Sequence, residues 1–330
     1  MPKLSLVIPC KWPQDQRLLD ALLTSIKVQT FAPYTEVHIV TEGNSEEAKA
    51  IGIQACRGDV IGMLCADNFL LGFTFLEDMY REAQAPGVVG AYTRHYAYMS
   101  EDPALNRYFA LLGANDPLCW WLGKADRDSY LRAAGKNRAG ESNVRTFDRY
   151  IPSLGDNGCF FKRAALQEVG IADDPATFGS CMDMCVRLQA RSYLAPLEAY
   201  RTYTITPNVL WHQTGLSFWG YLRRRYEYVG QLYFARRRTR SWHMVAGPTD
   251  WLRTGAFALA SLLVVPQLLV SLCGYQRVRD PAWFLHPLVC LCLTVAYAVA
   301  WLEHLMHRLW SARRVLTPMT RLWPVLGGKP

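Results

Sequence analysis

The feature that most limits what this chain can become lies near its end. From Thr254 to Tyr275 there is no charged residue, and from Pro281 to Leu302 His286 is the one ionisable group apart from tyrosine and cysteine. Each run has about the length a helix needs to cross a hydrocarbon core, roughly 20 residues. A core helix of a soluble domain fits either run alone, but two in tandem point to a membrane. Pro266 and Pro287 kink such helices without forbidding them. The link Gln276-Arg277-Val278-Arg279-Asp280 leaves room only for a hairpin, so two transmembrane helices with both ends on one side are expected. Arg236, Arg237, Arg238, Arg240 and Arg253 precede the pair, and Arg308, Arg313, Arg314, Arg321 and Lys329 follow it. The positive-inside rule then puts the N-terminal part and the C-terminal tail in the cytoplasm, with the hairpin in the inner membrane.

The net charge of +8 has the same source. The basic residues crowd beside the apolar runs and form no nucleic-acid recognition motif, so an anionic lipid surface is the expected partner and nucleic acid is not. Upstream of the runs, Trp219, Leu222, Tyr226, Val229 and Tyr233 recur at helical spacing, with Arg223, Arg224 and Arg225 between them. This suits an amphipathic helix lying in the interface. The ten cysteines show no CxxC and no zinc spacing, and read as small buried hydrophobes in a reducing compartment. The opening MPKLSLVIPC runs straight into a strand and lacks the pattern of a secretory signal. The chain thus reads as four regions: a globular domain over residues 1–213, a basic interfacial segment over 214–253, two transmembrane helices over 254–305 and a basic tail over 306–330. The oligomeric state is left open, a homo-oligomer included.

Residues 1–213 carry an α/β pattern. Leu4–Ile8 is a strand stopped by Pro9, and Leu18, Leu19, Leu22, Leu23 and Ile26 form one helix face. Glu36–Val40 is a second strand, Ile51–Cys56 a short helix, and Val60–Leu64 an unbroken apolar strand of the kind buried on both faces. This β-α-β-α-β succession predicts a mostly parallel, Rossmann-like sheet. Ligands gather outside the carboxyl ends of such strands. Asp67, just past the third strand, is placed to hold a divalent cation against a diphosphate, although a turn acid before Asn68 explains it equally well. A helix over Thr74–Ala83 and a strand over Val88–Tyr92 come next, and periodicity then fades from Thr93 to Tyr150. That stretch, rich in Asn, Asp, Arg and Trp, suits a lid or an acceptor-recognition region. After the glycine turn at Leu154–Gly158 come a strand over Cys159–Phe161 and a helix over Arg163–Val169. A later helix carries Asp183 in its first turns, where complementing the helix dipole is reason enough for an acid.

Taken in order, these segments resemble the family 2 glycosyltransferases of GT-A fold, membrane-anchored and of bacterial type. LSLVIP resembles the family's first strand, IVTEGNSE its second strand and turn, and AIGIQACRGDVIGMLCADN the helix and strand that carry its DxD motif. LGDNGCFFKR resembles the glycine-rich acceptor-side turn, and CMDMCVRL the later motif whose Asp is the catalytic base. The chain departs from the pattern where Cys65-Ala66-Asp67 replaces Asp-x-Asp, Thr41-Glu42 replaces Asp-Asp and Met182-Asp183 replaces Glu-Asp.

The resemblance implies an inverting hexosyltransferase that moves a sugar from a nucleotide-sugar donor to a lipid-linked or membrane-proximal acceptor, such as a polyprenyl phosphate, in cell-envelope polysaccharide synthesis. It implies a donor site at Pro9, Glu42 and Asp67, and an acceptor-side turn at Gly155, Asp156, Asn157 and Gly158. Asp183 becomes the general base, and Asp67 the ligand of Mg²⁺ or Mn²⁺. His212, in Trp211-His212-Gln213, lies where some relatives place a histidine near the diphosphate, and a packed histidine fits there too. The competing reading is a non-catalytic, membrane-tethered nucleotide-sugar-binding or scaffold protein with a degenerate DxD motif.

Overall fold

The computed structural model describes residues 1–11, 13–131, 141–148, 150–154, 157–170, 180–194, 198–234 and 240–316. The chain divides into two compact units: residues 1–215 with 239–290, and residues 216–238 with 291–330.

The first unit is built on a mixed sheet of eight strands. Its N-terminal half is β1 (Leu4–Pro9), α1 (Gln16–Lys27), β2 (Thr35–Val40), α2 (Ser45–Ala55), β3 (Val60–Met63), β4 (Asn68–Leu70), α3 (Phe75–Gln84) and β5 (Gly90–Tyr96). Then come α4 (Ala104–Leu112), α5 (Pro117–Trp121), β6 (Asn143–Thr146), β7 (Cys159–Lys162), α6 (Arg163–Glu168), α7 (Cys181–Leu194) and β8 (Thr202–His212). The strand order is β2-β1-β3-β7-β5-β8-β4, with β6 also on β8. β1, β2, β3, β5 and β8 run one way, and β4, β6 and β7 run against them. The expected α/β class and its dominant strand direction are therefore present. Leu6, Ile8, Val60, Leu76 and Phe160 form the centre of the core, which α1 and α3 close with Leu22 and Met79.

The sequence reading lacks β4, α4, α5 and β6, and two further differences have a local cause. α2 begins at Ser45, six residues ahead of the expected Ile51, because Asn44 and Glu47 form a reciprocal capping box over polar first-turn residues. β8 is absent from the sequence reading because Pro207 interrupts it. The register shifts there, with Thr206 opposite Thr93 but Val209 opposite His95, so the proline falls in a bulge that needs no ladder amide. Beyond the bulge the strand continues to His212 and pairs with β4.

The two apolar runs are helical, but the first is bent far more than the kinked span expected. The second is α11 (His286–Leu316), entered through a 3₁₀ turn at Pro281–Leu285; Pro281–Trp310 is long and apolar enough to cross a membrane. The first is two helices, α9 (Pro248–Leu263) and α10 (Val265–Arg277), bent by 87°. Pro266 supplies no amide to the preceding turn, and Val264 takes the break at φ 62°, a conformation costly for a β-branched residue. At 1.5 Å per residue the halves reach about 24 and 20 Å, each short of the roughly 30 Å of a hydrocarbon core.

In the second unit α8 (Phe218–Tyr228) continues as a π-helical turn at Val229–Phe234. Phe234 stacks on His304 of α11 at 3.9 Å, and Tyr226 donates a hydrogen bond to Glu303. Along the expected aromatic stripe, Trp219 is exposed, whereas Leu222 and Val229 are buried.

Candidate functional site

Parallel pairing aligns the carboxyl ends of the first three strands. Pro9 is in register with Val40, and Val7 with Met63, so the loops that follow β1, β2 and β3 leave from one edge of the sheet. Pro9 ends β1 there, and Glu42 stands exposed in the turn ahead of α2. Asp67 lies in the short turn between β3 and β4. Asn68 supplies the turn's own hydrogen bond, its Oδ1 accepting from the Cys65 amide at 2.9 Å. Asn68 thus makes the turn, and its Nδ2 also donates to Asp67 Oδ1 at 3.4 Å.

β8 brings His212 to the same edge. Asn68 and His212 are in register, the Gln213 amide donates to the Asp67 carbonyl at 2.9 Å, and His212 Nε2 lies 3.3 Å from Asp67 Oδ2. Asn115 Nδ2 lies 3.4 Å from His212 Nδ1, while its Oδ1 is buried without a partner. Turning that amide over would place Oδ1 against an Nδ1–H and leave the Nε2 lone pair for a cation, the usual arrangement behind a metal-bound imidazole.

Around this pair stands a buried group from the segment without periodicity. Tyr96, at the end of β5, packs its ring 5.3 Å from that of His212 and donates to Asp126. Burial pushes the Asp126 carboxyl up from its ordinary value, against the pull of Arg127 and the Tyr96 hydroxyl. Arg127 bonds Thr93 Oγ1 at 2.8 Å and the Asn157 carbonyl, and lies 5.1 Å from the centre of the Tyr96 ring. Asn157 Nδ2 donates to Tyr96 Oη at 3.2 Å. The Gly158 amide donates to the Met63 carbonyl at 2.8 Å, which docks the turn against the end of β3. Gly158 has φ +63°, and a Cβ there would meet Leu210 at 2.8 Å, so only glycine fits.

Asp67, His212, Asn157 and Gly158 therefore come together, while Gly155 and Asp156 lie outside the described residues. Sequence reading missed Tyr96, Asn115, Asp126 and Arg127. The one available signal was the run of three consecutive charged residues, Asp126-Arg127-Asp128. On the far side of Asp126 and Arg127 is a cavity of about 400 Å³, also lined by Tyr92, Trp120, Arg145 and Tyr150.

Asp183 stands in a second cluster. Its Oδ1 accepts from the amides of Ser241 at 2.8 Å and Trp242 at 2.5 Å, and its Oδ2 from Ser180 Oγ at 3.2 Å. The Arg240 guanidinium lies 4.0 Å away, and both side chains are buried. Residues 151–154 touch this cluster through Trp242 Nε1 on the Ile151 carbonyl, and the first through Ser153 on the Lys124 carbonyl.

Among the described residues no group of three or more His, Cys, Asp or Glu is placed to hold a metal. Asp67 and His212 stand as a single carboxylate–imidazole pair, 3.3 Å apart.

No family model matches the sequence, and neither does any curated protein. Solved structures do return glycosyltransferases. The mannosyltransferase PcManGT of Pyrobaculum calidifontis, solved with GDP-Man and Mn²⁺, is 14% identical at a TM-score of 0.46, over 90% of this chain and 86% of that one. TarS 1-349 of S. aureus with UDP-GlcNAc is 10% identical at a TM-score of 0.40, over 92% of each chain. Likenesses at these scores decide neither the family nor the activity of this chain, which rest on its own residues.

Proposed function

We propose that the chain is an inverting, family 2 type glycosyltransferase that moves a hexose from a nucleotide-sugar to a lipid-linked or membrane-proximal acceptor in cell-envelope glycan synthesis. The observation that carries this reading is the convergence of Asp67, His212 and the Asn157-Gly158 turn at the carboxyl edge of the sheet. Catalysis is assigned to residues 1–213.

In this reading the nucleoside lies over the ends of β1 and β2, near Pro9 and Glu42. Asp67 and His212 hold Mg²⁺ or Mn²⁺, which supplies neutralising charge for the leaving diphosphate. Asn157 and Gly158 shape the acceptor side, where the aromatic and charged cavity gives a saccharide room. Asp183 accepts the proton of an acceptor hydroxyl as general base. For that it must exchange the Ser241 and Trp242 amides for the acceptor, so opening of the Arg240–Trp242 segment belongs to the cycle. The apolar helices and the exposed Arg223 and Arg224 attach the enzyme to an anionic membrane, with the catalytic domain on the cytoplasmic side.

The occupied carboxylate of Asp183, together with Cys65 in place of the first DxD acid, favours a second reading: a membrane-tethered protein that binds a nucleotide-sugar without turning it over. One experiment separates the two. Purified protein is screened against nucleotide-sugars with and without Mg²⁺ or Mn²⁺, following both binding and release of the nucleoside diphosphate. Cation-dependent release supports the enzyme, and saturable binding without release supports the tether.

A further inference from the structure

The bent pair α9–α10 holds to the catalytic domain at three points. At its start, Asp250 Oδ2 accepts from the buried Lys124 Nζ at 2.7 Å, and the Arg253 guanidinium bonds the carbonyls of Trp121 at 3.0 Å and Leu122 at 3.1 Å. At its end, Asp280 accepts from Arg107 Nε at 2.9 Å and from Tyr98 Oη at 2.5 Å. The third point is the elbow. Gln267 sits three residues past Val264, and its Oε1 lies 3.0 Å from His286 Nε2; His286 Nδ1 lies 2.7 Å from Tyr108 Oη of α4. Ser261, on the other arm, bonds Gln267 Nε2 at 3.3 Å. Trp283 lies against Gly274, where a Cβ would meet its ring at 2.3 Å.

These contacts fix where the segment can go. Tyr108 belongs to the catalytic domain, and two hydrogen bonds through one imidazole separate it from Gln267. The elbow is therefore within about 15 Å of α4, whereas a hydrocarbon core is about 30 Å thick. An elbow so near cannot stand in the opposite interface. The two faces of the pair differ accordingly: Ser261, Gln267, Ser271 and Phe257 are buried, while Leu262, Leu263, Val265 and Leu269 are each more than half exposed. Cations flank this apolar face at both ends, Arg253 at one and Arg277 and Arg279 at the other. Apolar exposure between two cationic rims is the complement of acyl chains beneath lipid phosphates.

We infer that α9–α10 does not cross the membrane but forms an L-shaped shelf, inserted by its outer face into the leaflet on the catalytic domain's side. Its occupant is the acyl-chain layer of that leaflet. The link at residues 276–280 returns to the side from which it entered, and α11 starts there. This rests on the membrane attachment proposed above, and it replaces the first arm of the expected hairpin.

Labelling of the full chain in sealed vesicles tests the inference. In a Cys273→Ser background, Val144→Cys on the catalytic domain and Arg277→Cys in the link are each treated with a membrane-impermeant maleimide, in right-side-out and inverted vesicles. The shelf requires both to react in the same vesicle orientation, and reaction of Arg277→Cys only in the opposite one overturns it. A second measurement places a fluorophore on Val264→Cys. Quenching by lipids labelled in their acyl chains is expected, with little quenching by aqueous iodide from either side. Strong iodide quenching from the side opposite the catalytic domain again overturns the shelf. A chain that does not sediment with vesicles at all defeats the membrane attachment itself, a result distinct from both.

Discussion

His212 Nε2 stands 3.3 Å from Asp67 Oδ2 although 145 residues separate the two in sequence, and the β4–β8 ladder sets the approach by putting Asn68 opposite His212. In the proposed function this carboxylate and imidazole would give a cation two ligands and leave the rest of its shell to a diphosphate.

Asp67→Asn is expected to lower transfer by about 10²-fold or more, the scale of losing one charge-stabilising group, with an unchanged circular dichroism spectrum because Asn68 makes the turn. His212→Ala should instead raise the cation concentration needed for half-maximal activity, by about 10- to 100-fold. A metal titration of both variants distinguishes the two effects.

For Asp183 the conservative variant is the informative one. Asp183→Asn keeps Oδ1 for the Ser241 and Trp242 amides, so its melting temperature should change little while kcat falls by about 10²-fold and donor affinity holds. Asp183→Ala removes the acceptor of both amides and strands the buried one of Trp242, at about 1–3 kcal/mol, and should unfold at clearly lower denaturant. Equal loss of kcat and donor affinity in the Asn variant would mean that the acid only anchors residues 240–242.

At the opposite edge of the sheet, Glu36 makes stability acid-sensitive. Burial alone would raise its pKa, but hydrogen bonds from Ser5, the Arg57 amide, His38 and the Arg57 side chain bring it down to about 2. A carboxylate depressed in the folded state stabilises above its unfolded pKa, near 4.5, and loses that contribution as pH falls towards 2. Urea midpoints from pH 6 to pH 2.5 should therefore fall more steeply in the native protein than in Glu36→Gln, which should also be weaker at pH 6 by about 2 kcal/mol.

Gly90→Ala tests the sheet. A Cβ at Gly90 would meet the Phe160 carbonyl oxygen at 2.2 Å, and a backbone atom in a central strand cannot swing aside. A loss of about 3 kcal/mol or more is expected, read from the denaturation midpoint.

The parts legible in sequence were those with local periodicity or local spacing. β1 and β3 announce themselves as apolar runs, α1 as a stripe of leucines, and Asp67 as the acid after a buried strand. His212 was legible as a residue but not as a neighbour of Asp67, because β8 carries Pro207 and only the bulge across from Thr93 and His95 lets the strand continue. Tyr96, Asp126 and Arg127 sit where periodicity fades, and long-range contacts rather than local pattern bring them together. The elbow at Val264 was half legible. Pro266 announced a bend, but its size depends on the Gln267–His286–Tyr108 contacts, which no local pattern contains.

Those contacts also bear on how the protein is made. Lys124, Arg107 and Tyr108 each take a partner among residues 250–286, so a chain emerging from its N-terminus leaves these polar groups incompletely paired until almost nine-tenths of it has been synthesised. The charge-free stretch after Arg253 is made in the same interval. The first unit thus completes its packing only as its apolar helices are made, and a chain stopped before Asp250 would stall at the stage that chaperones and proteases recognise.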